Sequence, residues 1–190
     1  MSEIMNMCLS GGAEGADTVW ANLAREHKHQ VVHWSFKKHD VFDQKDVSIL
    51  DDEKLLTADS YIVLANKNIN RKWPTKSWYV NNLIRRNFYQ VNWADSVYAI
   101  STLIKDSSLL RVKGGTAWAC QMYIDRWLHT NTNLNSCYLY LFDQNQLKWF
   151  SWKGSWTEIV KPPTPQGVYA GIGTREINNE GIKAIIDVYR

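Results

Sequence analysis

Three glycine turns hold the chemistry this sequence offers. The first is Ser10-Gly11-Gly12-Ala13-Glu14-Gly15-Ala16-Asp17, the second Lys113-Gly114-Gly115-Thr116, the third Gly171-Ile172-Gly173-Thr174-Arg175. Each precedes a helical pattern. Glycine lacks a Cβ, so its backbone can come close to a ligand. The first N–H groups of a helix have no intrahelical partner and carry partial positive charge, which suits phosphate. The plainer reading is that glycines end strands to make tight turns. The first turn lacks the Lys-Ser/Thr of a P-loop, and the spacing G-x-G-x-x-G is absent. ATP hydrolysis and ordinary NAD-dependent hydride transfer both lose support.

Other side chains could complete such a site. Arg86 follows Asn82 and precedes Gln90 at spacing four, so the three share the polar side of a helix. A guanidinium there could clamp a phosphate bidentately or stay solvated. Arg175 and Thr174 stand in the third turn. Asp17 reads as a helix cap or as a partner for a ribose hydroxyl, with capping favoured. Trp34 and Phe36 close a strand whose end could stack on a base. His27, His29, His33 and His39 lack metal-binding spacing with a partner carboxylate and read as surface or packing residues. The candidate ligand-binding set is Ser10, Gly11, Gly12, Ala13, Asp17, Phe36, Arg86, Gly114, Gly115, Thr116, Thr174 and Arg175. No metal, cofactor or catalytic residue is assigned.

The elements that must position these residues follow from periodicity. Glu3–Leu9 reads as a buried strand, Thr18–Lys28 as a helix and Gln30–Phe36 as a second strand, which makes a βαβ unit. Residues 37–52 are polar and read as a loop. Asp52–Asn66 reads as a helix followed by a strand, with Tyr61–Leu64 ambiguous. Arg71–Thr75 is a turn around Pro74. Lys76–Val91 is a helix, Asp95–Ser101 a third strand, and Thr116–Leu128 a helix with an apolar stripe. Cys137–Phe142 and Leu147–Trp152 form a hairpin. Pro162–Pro165 is a stiff connector, Val168–Ala170 a brief strand, and a helix follows. Strand, glycine turn, helix recurs three times. The expected fold is α/β: a Rossmann-like, doubly wound, mostly parallel sheet with helices on both faces and a C-terminal hairpin and strand extension, in a single domain over 1–190.

Composition sets the boundaries. The 190 residues are 45% hydrophobic, with a net charge of +3. A core is expected, and disorder is not. The charge is too small for the dense basic stripe of a nucleic-acid binder. No run approaches the length of a membrane span. Met1–Leu9 is too short for a signal peptide and carries Glu3. Cys8, Cys120 and Cys137 are scattered and suit a reducing cytoplasm. Ten tryptophans are a surplus, read mainly as packing residues and compatible with a homo-oligomer.

The first turn, together with Gly114-Gly115-Thr116 opening a later helix and Gly-Ile-Gly-Thr-Arg near the end, resembles the SLOG superfamily of Rossmann-like nucleotide-binding proteins. The last motif looks like one of small bacterial and phage members. The resemblance covers Ile4–Ser101 and Lys113–Val188. It implies binding of a nucleotide-derived molecule, such as an ADP-ribose-like or cyclic nucleotide signal. For a phage protein it implies sequestration that evades host defence. The family's hydrolases carry a catalytic glutamate after Pro-Gly-Gly-x-Gly-Thr. Here Gln121 falls at that position, and an amide cannot serve as a general base. Binding without turnover is therefore favoured. The alternative is an N-glycosidase or phosphoribohydrolase using Asp17, Glu14 or Glu176.

Overall fold

A computed structural model describes residues 5–106, 109–130 and 133–190. The chain opens with β1 (Met7–Ser10), α1 (Ala16–Glu26) and β2 (Gln30–Phe36), and β1 and β2 pair in parallel. This is the βαβ unit that the apolar periodicity predicts. The next strand, β3 (Val47–Leu50), lies inside the stretch read as a loop and pairs in parallel with β2. Of its residues Leu50 alone is buried, so this edge strand leaves no period-two signal.

Two helices follow, α2 (Asp52–Thr57) and α3 (Asp59–Ile69). The Asp51 carboxylate caps α2 by accepting from Lys54 N at 2.8 Å. Tyr61–Leu64 is helical, which corrects the expected strand. Ile62 points into the core while Tyr61, Val63 and Leu64 are exposed, so the run meets the core once per turn. After the turn at Pro74 comes α4 (Trp78–Val91), capped by Ser77, and then β4 (Ser96–Ser101), buried along its whole length.

The sequence reading left 102–112 unassigned. There β5 (Leu103–Asp106) and β6 (Leu109–Val112) pair antiparallel, outside the main sheet. This changes the threefold recurrence: the second glycine turn follows β6, not a strand of the main sheet. Lys113 N donates to Thr102 O at 2.9 Å, returning the chain to the carboxyl end of β4. There α5 (Thr116–Thr130) begins. The hairpin of β7 (Leu139–Asp143) and β8 (Lys148–Trp152) is as expected, and β9 (Trp156–Ile159) extends it. The last elements are β10 (Val168–Gly173) and α6 (Asn179–Val188).

The main sheet has the order β3-β2-β1-β10-β4-β7-β8-β9. Strands β3 to β7 in that order run parallel, and β8 and β9 antiparallel. The expected Rossmann-like architecture is present, with its hairpin extension at one edge. One core lies under α1 and α6 around Trp20, Tyr98, Tyr169 and Ile185. The other lies under α2 to α5 around Phe36, Ile62, Tyr123 and Leu139. Among the described residues no helix is long and apolar enough to cross a membrane.

Candidate functional site

At the carboxyl ends of β4 and β10, beside the start of α5, lies a cleft of about 420 Å³. That is the volume and the position at which open α/β sheets hold small molecules. Ala13, Asp17, Arg86, Gly114, Gly115, Thr116, Thr174 and Arg175 line it, so two-thirds of the candidate set converges on one volume. Asn87, Gln90, Ser101, Lys113 and Gln144 line it too and were not among the candidates, while Glu176, a carboxylate of the hydrolase alternative, joins them. For Gln90 a signal existed, its helical spacing with Arg86. Gln144 arrives through folding: Gln144 Nε2 donates to Glu176 O at 3.1 Å, and Gln144 Oε1 accepts from Asn178 N at 2.7 Å. That pins the third turn from a hairpin distant in sequence.

The polar side of α4 faces inward, toward the sheet. Asn82, Arg86 and Gln90 are all buried, because α4 packs on β1, β2 and β10 as well as on α5. Arg86 Nη1 lies 3.4 Å from Asp17 Oδ2, and Gln90 Nε2 lies 3.5 Å from the same oxygen. Burial raises the Asp17 pKa against the pull of Arg86 and lowers that of Arg86 against the pull of Asp17. A guanidinium keeps its charge even so. Arg86 Nε is buried and has no hydrogen-bond partner among the described residues.

The first glycine turn serves the fold. A Cβ on Gly11 would come within 1.4 Å of Arg86 Nη1, so glycine here makes room for the guanidinium. Gly12 O accepts from Phe42 N at 2.8 Å and Asp43 N at 3.1 Å. Ser10 is buried, and its Oγ donates to Gly171 O at 2.6 Å, tying β1 to β10. Gly15 has φ +93°, and a Cβ there would meet Arg175 O at 2.4 Å. Ala16 N donates to Thr174 O at 3.0 Å, so the third turn caps α1 with a carbonyl. Ser10, Gly11 and Gly12 accordingly lie outside the cleft lining. Asp17 does not cap α1: Gly15 holds that place without a side-chain bond, and Asp17 instead pairs with Arg86. Phe36 is also displaced from its expected place. It is 1% exposed and stacks on His39 at 4.9 Å, within the core under α4.

The second turn is open. Gly114 has φ +70°, a backbone shape that suits glycine, and nothing lies within 4 Å of a Cβ built on Gly114 or Gly115. The first donors of α5 are Ala117 N to Gly114 O at 3.4 Å and Trp118 N to Gly115 O at 3.1 Å. The N–H groups of Gly115 and Thr116 precede them and have no carbonyl inside the helix to meet. Lys113 and Arg175 stand exposed at the rim. Gln121 lies on the other side of α5 and donates to Asp125 Oδ1 at 2.8 Å, so the position matched to the hydrolases' glutamate does not line the cleft. Glu14 does not line it either, while Asp17 and Glu176 do.

The histidines are held by packing and polar contacts. His33 is fully buried, with Nε2 at 2.9 Å from Asp43 Oδ2, and His39 Nδ1 is 2.8 Å from Ser35 Oγ. Burial, reinforced by the charges of Arg86 and Arg175, lowers the His39 pKa to about 4. No group of three or more His, Cys, Asp or Glu among the described residues could hold a metal ion.

No family model matches the chain, and no curated protein matches it. Among solved structures the chain is similar to a "putative molybdenum carrier protein" from Syntrophus aciditrophicus SB. The two share 14% identity with a TM-score of 0.53, over 98% of this chain and 95% of that one. At that identity the likeness shows a shared fold. It spans the sheet and both helical layers.

Proposed function

We propose that the cleft holds a nucleotide-derived anion, such as an ADP-ribose-like or cyclic nucleotide signal, and holds it without turnover. One observation carries the reading: the open N-terminus of α5, the rim cations Lys113 and Arg175, and a buried guanidinium with an unpartnered Nε all line one cleft. Each supplies donors or charge suited to phosphate oxygens. Gly114, Gly115 and Thr116 would cradle a phosphate, and Thr174 and Arg175 would close over it. Asp17 serves mainly as the counter-ion of Arg86. Ser10, Gly11 and Gly12 act indirectly, by seating Arg86.

The absence of turnover is supported by the carboxylates. Asp17 is tied up in an ion pair, and Gln121 points elsewhere. Glu176 is the carboxylate of the cleft outside any ion pair found among the described residues. In this reading the chain is one SLOG-like domain in the cytoplasm, and host cytoplasm if phage-encoded, where it senses or sequesters the signal. Self-association belongs to the same proposal: Leu56, Tyr61, Val63 and Leu64 are exposed apolar side chains on successive helices.

The test is to denature purified protein, identify what it releases by mass spectrometry, and titrate the refolded chain with ADP-ribose, cyclic nucleotides and molybdate. The expected result is stoichiometric recovery of an unaltered nucleotide. Release of free base that is lost in Glu176→Gln would replace this reading with the N-glycosidase. Tight molybdate binding with no nucleotide binding would overturn both.

A further inference from the structure

A second cavity, of about 600 Å³, lies against the face of α5 that carries Gln121. The end of α3, strand β6 and the turn joining β8 to β9 form its other walls. Ile69, Leu110, Ile124, Leu128, Trp152 and Trp156 give it an apolar lining with two indole rings at one side. Three cations stand in it, Lys67, Arg71 and Arg111, and no carboxylate lines it among the described residues.

The charges are unequal. Arg111 pairs with Asp106 at 2.8 Å. Arg71 donates to backbone carbonyls, Gly114 O at 2.7 Å and Val112 O at 3.4 Å. Those bonds fix its plane and leave its charge uncompensated. Burial and the nearby charge of Arg111 lower its pKa accordingly. A guanidinium held in place beside an apolar, indole-lined wall is arranged for one kind of molecule.

We propose that this second cavity binds a small amphipathic anion, with its ring or hydrocarbon body against Trp152 and Trp156 and its single acidic group on Arg71 and Lys67. The acidic group is a carboxylate, sulfonate or phosphate. The volume admits a fused-ring body and excludes a folded partner. The inference does not depend on the ligand of the cleft, because Lys67 and both tryptophans lie outside that cleft.

Titration with 8-anilinonaphthalene-1-sulfonate tests it, with its uncharged analogue N-phenyl-1-naphthylamine in parallel. Saturable one-to-one binding of the sulfonate is expected, about tenfold tighter than the analogue. Lys67→Gln, a change at an exposed side chain, and Arg71→Gln each weaken it about tenfold, while Arg71→Lys, which keeps the charge and loses the fixed plane, weakens it less than Arg71→Gln. The proposal is overturned by unsaturable binding, by equal affinity for the uncharged analogue, or by an unchanged affinity in Lys67→Gln and Arg71→Gln.

Discussion

At the first glycine turn the groups that could receive a phosphate are already engaged, whereas at the second they stand open. Both turns place Gly-Gly before a helix. At the first, Thr174 O caps α1 and the Arg86 guanidinium covers Gly11. At the second, a Cβ on either glycine would meet nothing within 4 Å. A glycine pair therefore says that backbone must come close to something. Whether that something is the protein's own arginine or a ligand depends on what the rest of the chain brings there.

The contrast predicts different responses to mutation. The largest effect is expected at the charge behind the first turn. Arg86→Met leaves Asp17 buried without its cation and should cost about 3–5 kcal/mol in urea unfolding. Adding Asp17→Leu should restore much of that loss. If Arg86→Met alone is neutral, the first turn is not built around this pair. Next comes Gly11→Ala. The new methyl collides with the guanidinium, and a loss of about 1–3 kcal/mol is expected. Gly115→Ala should change stability by no more than about 0.5 kcal/mol. It should weaken nucleotide binding in calorimetry, since the methyl enters the cleft. Equal destabilisation by Gly11→Ala and Gly115→Ala would erase the distinction.

The smallest effect concerns pH. His39 has a folded pKa of about 4 against an ordinary 6.5, so folding favours its neutral form. Its contribution is complete above pH 6.5 and is lost as pH falls toward 4. His39→Gln should flatten the fall of Tm over that window. An unchanged slope would mean that neither burial nor the charges of Arg86 and Arg175 disfavour the protonated imidazole.

Legibility in the sequence followed periodicity. The unit β1-α1-β2 was readable because its apolar spacing is local and its strands are buried. Strand β3 was not, since an edge strand with one buried residue carries no alternation. The β5-β6 pair escaped for a similar reason: it packs beside the main sheet, with Ile104 and Leu109 exposed. At the site, the glycine turns and Arg86 could be named from residue type and spacing. The inward direction of Arg86 could not, because α4 buries two faces and periodicity reports the apolar one. Phe36 was misplaced because an aromatic at a strand end reads alike whether a helix or a ligand covers it. Glu176 could be named from its place after the third turn, but Gln144 reaches it through contacts between distant segments, which no local pattern encodes.

The position of β10 has a consequence for how the chain is made. It lies between β1 and β4, yet more than sixty residues separate Ser101 from Val168. A ribosome delivers β1 to β3 first and β4 to β9 afterwards, and until β10 emerges the two half-sheets face each other across an unfilled slot. Each then presents an unpaired, buried-type edge, β1 on one side and β4 on the other, able to pair with a stray strand. The last strand thus works as a zip fastener drawn late. It closes the sheet and, through Gly173, Thr174 and Arg175, completes the cleft in the same movement. Chains cut before Val168 should aggregate rather than fold in part, and ligand binding should report that β10 has taken its place in the sheet.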